Sequence, residues 1–537
     1  MTRSLWATVI MMAVVATAAA SEVRTRRWLW RGEAVGQRVA VDGGVVAGVR
    51  DGQAMAYRGI PFAAPPVGVG RWTALQPVRP WSGVRAASHF GPPCPQLDAN
   101  GAPLGQEDCL HLNVWTPLGA TTSSRLPVLF FIHGGGHVQG SASAQLADGT
   151  FLYDGGRLAA ASRAVVVTAQ YRLGALGFLA HPGFAADSPW GTAGNYGTLD
   201  LMAALQWVRR NVAAFGGDPR RVLVFGESAG AVETCMLLVS PLARGLFSAA
   251  LMQSGGCRAT TAAQAAQFAH EYAQAAGCAG ASEVVACLKG LPLATVLTTL
   301  PPEVSVVKPL SGYGPVIDGV VLPDVPMDLI ASGRHAGVPL VVGANRDETG
   351  SEAVVIVTEA QYRAAVLALV NGNPVLAAAI LNAYPVSQYG SPRLAFTALT
   401  SDANFICPAR RIARAATQGQ AAPVYRYFFT HPPDNASPAV RAMGAVHGME
   451  LFYVFQVLDA LSYRPTSGEL ELAEFIGVSW RQLAATGNPS PPGGPAWPRY
   501  RVEDDPFMEL TTPPVAGTGV RSAQCDFWDT LLGWAAR

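Results

Sequence analysis

The chain has 537 residues, half of them hydrophobic and only 14% charged, so it can bury a large core. Its 38 basic and 37 acidic residues nearly cancel. Neither a nucleic-acid partner nor a polybasic membrane contact is expected from that balance.

Read in chain order, Arg3, an apolar run over 5–15 and Ala18-Ala19-Ala20 before Ser21 have the layout of a secretory signal. Residues 1–20 are therefore expected to be cleaved near Ala20, leaving a secreted or periplasmic protein. No later run reaches ~20 uninterrupted apolar residues, so no stable membrane insertion is expected. Residues 21–38 are basic and irregular, and the folded body is expected to fill 39–537 as one large domain. Eight cysteines fit an oxidising compartment. Cys94 with Cys109 and Cys278 with Cys287 flank short loops, and Cys407 with Cys525 would tie the tail to the body.

Apolar runs at 112–115, 128–132, 164–169, 222–225, 339–343 and 424–429 read as strands. Residues 199–215 read as a helix, with Leu201, Ala204, Leu205, Val208, Val212 and Phe215 at spacings of three and four. Asp200 is expected in its first turn, facing the helix dipole. Strand and helix alternate, which predicts an α/β fold with a mostly parallel sheet. The Gly-, Pro- and Asn-rich segments 370–395 and 486–498 read as surface excursions.

Strand 222–225 runs into Gly226-Glu227-Ser228-Ala229-Gly230, and an apolar helical stretch follows over 231–238. A nucleophilic serine on a sharp strand-to-helix turn needs that order, with glycine on each side to remove clashes. Glycine is abundant here, so the pentapeptide draws its weight from its flanks. Strand 128–132 ends in His133-Gly134-Gly135-Gly136. Peptide N–H groups bare of side chains can bind the negative oxygen of a tetrahedral intermediate. Gly135, Gly136 and Ala229 are the expected donors of this oxyanion hole. No Lys-Ser/Thr follows the glycines, so a phosphate-binding loop fits less well.

Serine is a weak nucleophile without a base, and the base needs an orienting acid. After such a serine the acid comes next and the histidine last. His447, in Gly444-Ala445-Val446-His447-Gly448, suits the base, whereas His431 before Pro432-Pro433 reads as a turn residue. Asp347 and Glu348 both stand after strand 339–343, and position alone does not separate them.

Five further segments follow in order: Tyr57-Arg58-Gly59-Ile60-Pro61-Phe62, Glu107-Asp108-Cys109-Leu110-His111-Leu112-Asn113, Phe215-Gly216-Gly217-Asp218-Pro219, Gly314-Pro315-Val316-Ile317-Asp318-Gly319, and Trp480 with Thr486-Gly487-Asn488-Pro489. With them the chain resembles the type-B carboxylesterase family, which includes carboxylesterases, fungal lipases and cholinesterases. The resemblance implies the α/β-hydrolase fold, a mostly parallel central sheet flanked by helices. It implies Glu348 as the acid, although Thr349 replaces the glycine usual after it. It also implies the disulfides Cys94–Cys109, Cys278–Cys287 and Cys407–Cys525. Cys235 and Cys257 are left over, and Cys235, in an apolar helical run, is expected to be a buried thiol. Ser254 and Glu450 match positions near the triad, where either a supporting hydrogen-bond network or a purely structural role is expected.

The implied activity is hydrolysis of small-molecule carboxylic esters through an acyl-enzyme on Ser228, with His447 as base and no metal or organic cofactor. Three departures matter. His137 stands where an aromatic is usual, His111 where tyrosine is usual, and the loop between Cys94 and Cys109 is short and lacks tryptophan. A choline group needs an aromatic face, so cholinesterase activity is not expected. His137, Arg258 and Lys308 could together receive a carboxylate-bearing acyl group, which resembles the fumonisin-type detoxifying esterases; the alternative is that Arg258 and Lys308 are solvated surface charges. The alternatives are a lipase or amidase on the same triad, or a non-catalytic binding protein of the same fold.

Overall fold

Strands apolar at every position need cover on both faces. The computed structural model, which describes residues 37–280, 283–308 and 312–533, supplies it. The expected signal peptide and nearly all of segment 21–38 lie outside the described residues. The main sheet has eleven strands: β1 (Val49–Asp51), β2 (Ala54–Pro61), β3 (His111–Pro117), β4 (Leu126–Ile132), β5 (Val165–Ala169), β6 (Gly217–Glu227), β7 (Ala249–Gln253), β8 (Leu340–Asn345), β9 (Val424–Phe429), β10 (Pro506–Leu510) and β11 (Val515–Thr518). Their order across the sheet is β11-β10-β9-β8-β7-β6-β4-β5-β3-β2-β1. From β10 to β5 all neighbours run parallel. At the ends β11, and on the other side β3, β2 and β1, pair antiparallel. The sheet is therefore mixed, parallel where it is buried most deeply.

Alternation along the strands feeds two apolar layers. Val128, Phe130, Ile132, Val222 and Val224 enter one, and Leu129, Phe131, Leu223 and Phe225 the other. Helices α1 (Tyr196–Asn211), α2 (Ala229–Val239) and α3 (Cys407–Gly419) cover the first layer, and α4 (Ser467–Thr486) covers the second.

Two expectations are corrected and a third gains detail. Helix α1 begins at Tyr196, so Asp200 sits in its second turn rather than its first. It is buried, and its carboxylate accepts from Arg172 Nε and Nη2 at 2.8 and 2.7 Å, so an ion pair and not the dipole explains it. Segment 370–395, read as a surface excursion, is mostly exposed or half-buried and is built from helices at Pro374–Ala383, Val386–Tyr389 and Pro392–Ser401. Its Asn and Pro residues punctuate helices: Asn373 and Ser391 cap them, with Pro374 and Pro392 at the first helical position. Finally, Cys235 is no free thiol. It forms a disulfide with Cys257, which joins the other three bridges Cys94–Cys109, Cys278–Cys287 and Cys407–Cys525. Strands β6 and β7 are parallel neighbours, so the loop leaving β7 falls against α2. Their Cα atoms come within 5.5 Å there. Among the described residues no helix is long and apolar enough to cross a membrane.

Candidate active site

After β4 the chain passes to one side of the sheet, and after β6 to the other. Between two such strands their carboxyl ends frame a crevice. β4 leads there into His133-Gly134-Gly135-Gly136, and β6 ends at Glu227, just before Ser228. Ser228 has φ 57° and ψ −120°, a strained conformation for a residue with a side chain. Ala229 follows as the first residue of α2, where amide groups have no partner within the helix. Glycine is required on both sides. A Cβ at Gly226 would run into the Gly230 carbonyl, and one at Gly230 into the carbonyl of Ile132.

The bare loop lies directly against this turn, since a Cβ on Gly134 would stand 2.9 Å from Ser228 Cβ. Gly135, Gly136 and His137 have φ of 111°, 63° and 64°. The loop is tied down from several sides. Val138 and Gln139 donate N–H bonds to the Gly135 carbonyl, Tyr171 Oη donates to His133 O at 2.9 Å, and Gly174 N donates to His137 O at 2.7 Å.

His447 Nδ1 lies 2.6 Å from Glu348 Oε2, and the other Glu348 oxygen accepts the Asn345 N–H at 2.7 Å. Asp347 turns elsewhere, accepting from Arg346 Nε and the Ala445 amide. The structure thus separates two acids that position left open. Thr349 fits in place of glycine because its hydroxyl bonds Thr400 Oγ1 at 2.6 Å. His447 Nε2 faces Glu227 Oε1 at 3.1 Å and makes no hydrogen bond to Ser228. Burial pulls the imidazole pKa down, but Glu227 and then Glu348 overcome it and push it up to about 10. Glu227 itself is pushed up to about 7, chiefly by burial.

Glu450 joins this group. It is buried, accepts from Asn345 Nδ2 at 2.6 Å and Gln253 Nε2 at 3.1 Å, and is pushed up to about 8 by burial and then by Glu227. Among the described residues Ser254 is held through its backbone. Its amide donates to Gly343 O, and its buried hydroxyl has no hydrogen-bond partner among the described residues. Glu227, Gln253 and Asn345 escaped the sequence reading; for Glu227 the signal was its place just before the serine. His431 lies in irregular chain after β9 and is buried, with Nε2 3.5 Å from Glu469 Oε1. Glu469 caps α4 by accepting the Thr466 and Asp434 amides, which makes the cluster a helix cap.

The three expected substrate cations differ in kind. His137 is buried and lies 3.1 Å from Glu233 Oε1, whereas Arg258 and Lys308 are exposed. Val304, four residues before Lys308, comes within 3.8 Å of where a Gly136 Cβ would stand.

The carboxylesterase family profile matches residues 35–528. The chain belongs to the carboxylesterase family. It is 34% identical to human cocaine esterase, over 96% of this chain and 92% of that one. It is 33% identical to acetylcholinesterase of Bungarus fasciatus, over 90% and 84%. It is 34% identical to fumonisin B1 esterase of Sphingopyxis macrogoltabida, over 85% and 83%. As a carboxylesterase-family chain it is a carboxylic ester hydrolase, and its mixed sheet is the family's α/β-hydrolase fold.

Proposed function

We propose that this chain is a secreted serine carboxylesterase working through an acyl-enzyme. Ser228 Oγ attacks the ester carbonyl and His447 takes its proton. Glu348 holds the imidazole by Nδ1 and stabilises the imidazolium that forms. The N–H groups of Gly135, Gly136 and Ala229 receive the oxyanion, each worth about 3 kcal/mol of barrier. The imidazolium returns its proton to the leaving alcohol, and water then deacylates Ser228 with the same base. The observation that carries this reading is the 2.6 Å Glu348–His447 contact beside a strained serine. His447 Nε2 has only to turn from Glu227 to its sequence neighbour, and such bonds commonly tighten when substrate arrives. Four disulfides support an oxidising compartment. The test is Ser228→Ala, which should bind ester and lose hydrolysis; full activity would refute the assignment.

A preference for acyl groups bearing a carboxylate is a second reading. Surrounding protein, and next the like charge of Arg411, hold the Arg258 pKa below the ordinary arginine range, although the side chain still reaches solvent. Gathered cations raise the local positive potential. Exposed Lys308 and the fumonisin B1 esterase likeness support the same choice. His137 drops out of this set, because Glu233 occupies its imidazole. Neutral and carboxylated esters of equal length, assayed on wild type, Arg258→Ala and Lys308→Ala, decide it. An identical ratio in all three proteins would remove the idea.

A further inference from the structure

His137 follows the bare loop immediately, and Glu233 lies on α2 four residues after Ala229, about one helical turn along the same face. His137 Nε2 and Glu233 Oε1 are 3.1 Å apart, with side chains 9% and 0% exposed. Neither Glu233 oxygen has a hydrogen-bond partner among the described residues. After burial, the Glu233 charge is the next cause holding the Tyr171 phenol above its ordinary range, which places that carboxylate beside the loop's own anchor. A buried carboxylate that loses its close partner is left uncompensated, which is strongly destabilising.

We infer that His137 and Glu233 form a buried ion pair that sets the Gly135 and Gly136 amides against the helix carrying Ala229, making both positioning residues for the transition state. The inference rests on the oxyanion-hole reading above. Three donors can hold one oxygen only if loop and helix keep a fixed separation, and this pair is a charged strut between them. It also accounts for the backbone at His137. A side-chain-bearing residue at φ 64° is disfavoured, and three contacts hold it there: Glu233, the Gly174 amide on its carbonyl, and the edge of Phe178, 5.0 Å from its ring. An aromatic at 137 could not serve Glu233, so the two residues depend on each other.

The experiment uses the full chain, with thermal melts confirming that each variant is folded. His137→Phe and Glu233→Gln are compared with the double variant His137→Phe/Glu233→Ser. The readouts are kcat, KM, and the affinity of a trifluoromethyl ketone relative to the matching methyl ketone. Each single variant should lose about tenfold or more in kcat, with KM held within about threefold. Trifluoromethyl ketone affinity should fall by a similar factor, and the double variant should recover most of the loss. If His137→Phe does not fold, Glu233→Gln carries the test, because it keeps the size and removes the charge. Unchanged kcat and ketone affinity in a folded Glu233→Gln would overturn the proposal. So would a loss confined to KM, or a double variant as impaired as the product of the singles. Wild type should itself favour the trifluoromethyl ketone by about a hundredfold. Absence of that preference would refute the oxyanion reading and the proposal with it. Presence of the preference alongside insensitive variants would refute the ion pair alone.

Discussion

Glu227 Oε1 lies 3.1 Å from His447 Nε2, while Glu348 Oε2 lies 2.6 Å from Nδ1 of the same ring. One imidazole is thus held between two carboxylates. Burial opposes its protonation, and the two negative charges overcome that, raising its pKa to about 10. The Glu227 charge is the largest single raising cause, ahead of the charge and hydrogen bond of Glu348 and the charge of Glu450. A negative charge favours the imidazolium, so removing it lowers the pKa. The base is the neutral ring, so activity should then survive to lower pH. Glu227→Gln should therefore move the acidic limb of kcat/KM downward in pH. A pH–rate profile checks this, and a limb that stays or moves upward would contradict it.

Glu348 and Asp347 are adjacent acids with different partners. Only Glu348 touches His447, whereas Asp347 braces Arg346 and the Ala445 amide. Glu348→Gln should lower kcat about 10³- to 10⁴-fold, because the amide misorients the ring and no longer offsets its charge. Asp347→Asn should keep kcat within a few-fold and show its effect in thermal stability. Steady-state kinetics on both variants separate the roles, and equal losses would merge them.

The Cys235–Cys257 bridge staples α2 to the loop that leaves β7, closing 22 residues. Cross-linking a loop of that length restricts the unfolded chain and is worth about 3 kcal/mol. A Cys235→Ala/Cys257→Ala variant should unfold at lower denaturant by that amount. Urea titration measures it, and an unchanged midpoint with an unchanged slope would show the bridge to be inert.

Gly230 faces the Ile132 carbonyl with no room for a methyl group. Gly230→Ala should cost about 3 kcal/mol of stability and also depress kcat, since the shift needed to accommodate it moves Ser228 relative to the bare loop. Thermal melts and kinetics on one preparation test both, and a variant with wild-type values in each would show that the turn can relax.

Much of the site was legible because local rules leave few choices there. A serine between glycines, after an apolar strand and before an apolar helix, has one structural context, and residues 128–132 and 222–225 sit inside strands β4 and β6. The misses share a different origin. Cys235 read as a buried thiol because Cys257 comes to it only through the pairing of β6 with β7. Asp200 looked like a helix-end charge because Arg172, 28 residues earlier, was not recognisable as its partner.

What the sequence determined by itself is the chemistry: the residue types, their order, and the bare amides, all set by local backbone geometry and short-range pattern. What only the tertiary structure decided is pairing: Glu348 over Asp347 on His447, Glu227 across the same ring, Glu233 on His137, and Cys235 on Cys257. Contacts of that kind depend on which strands become neighbours. In this sheet β4 lies beside β6 and β6 beside β7, an arrangement set by burial of the whole apolar core and not by any segment of it.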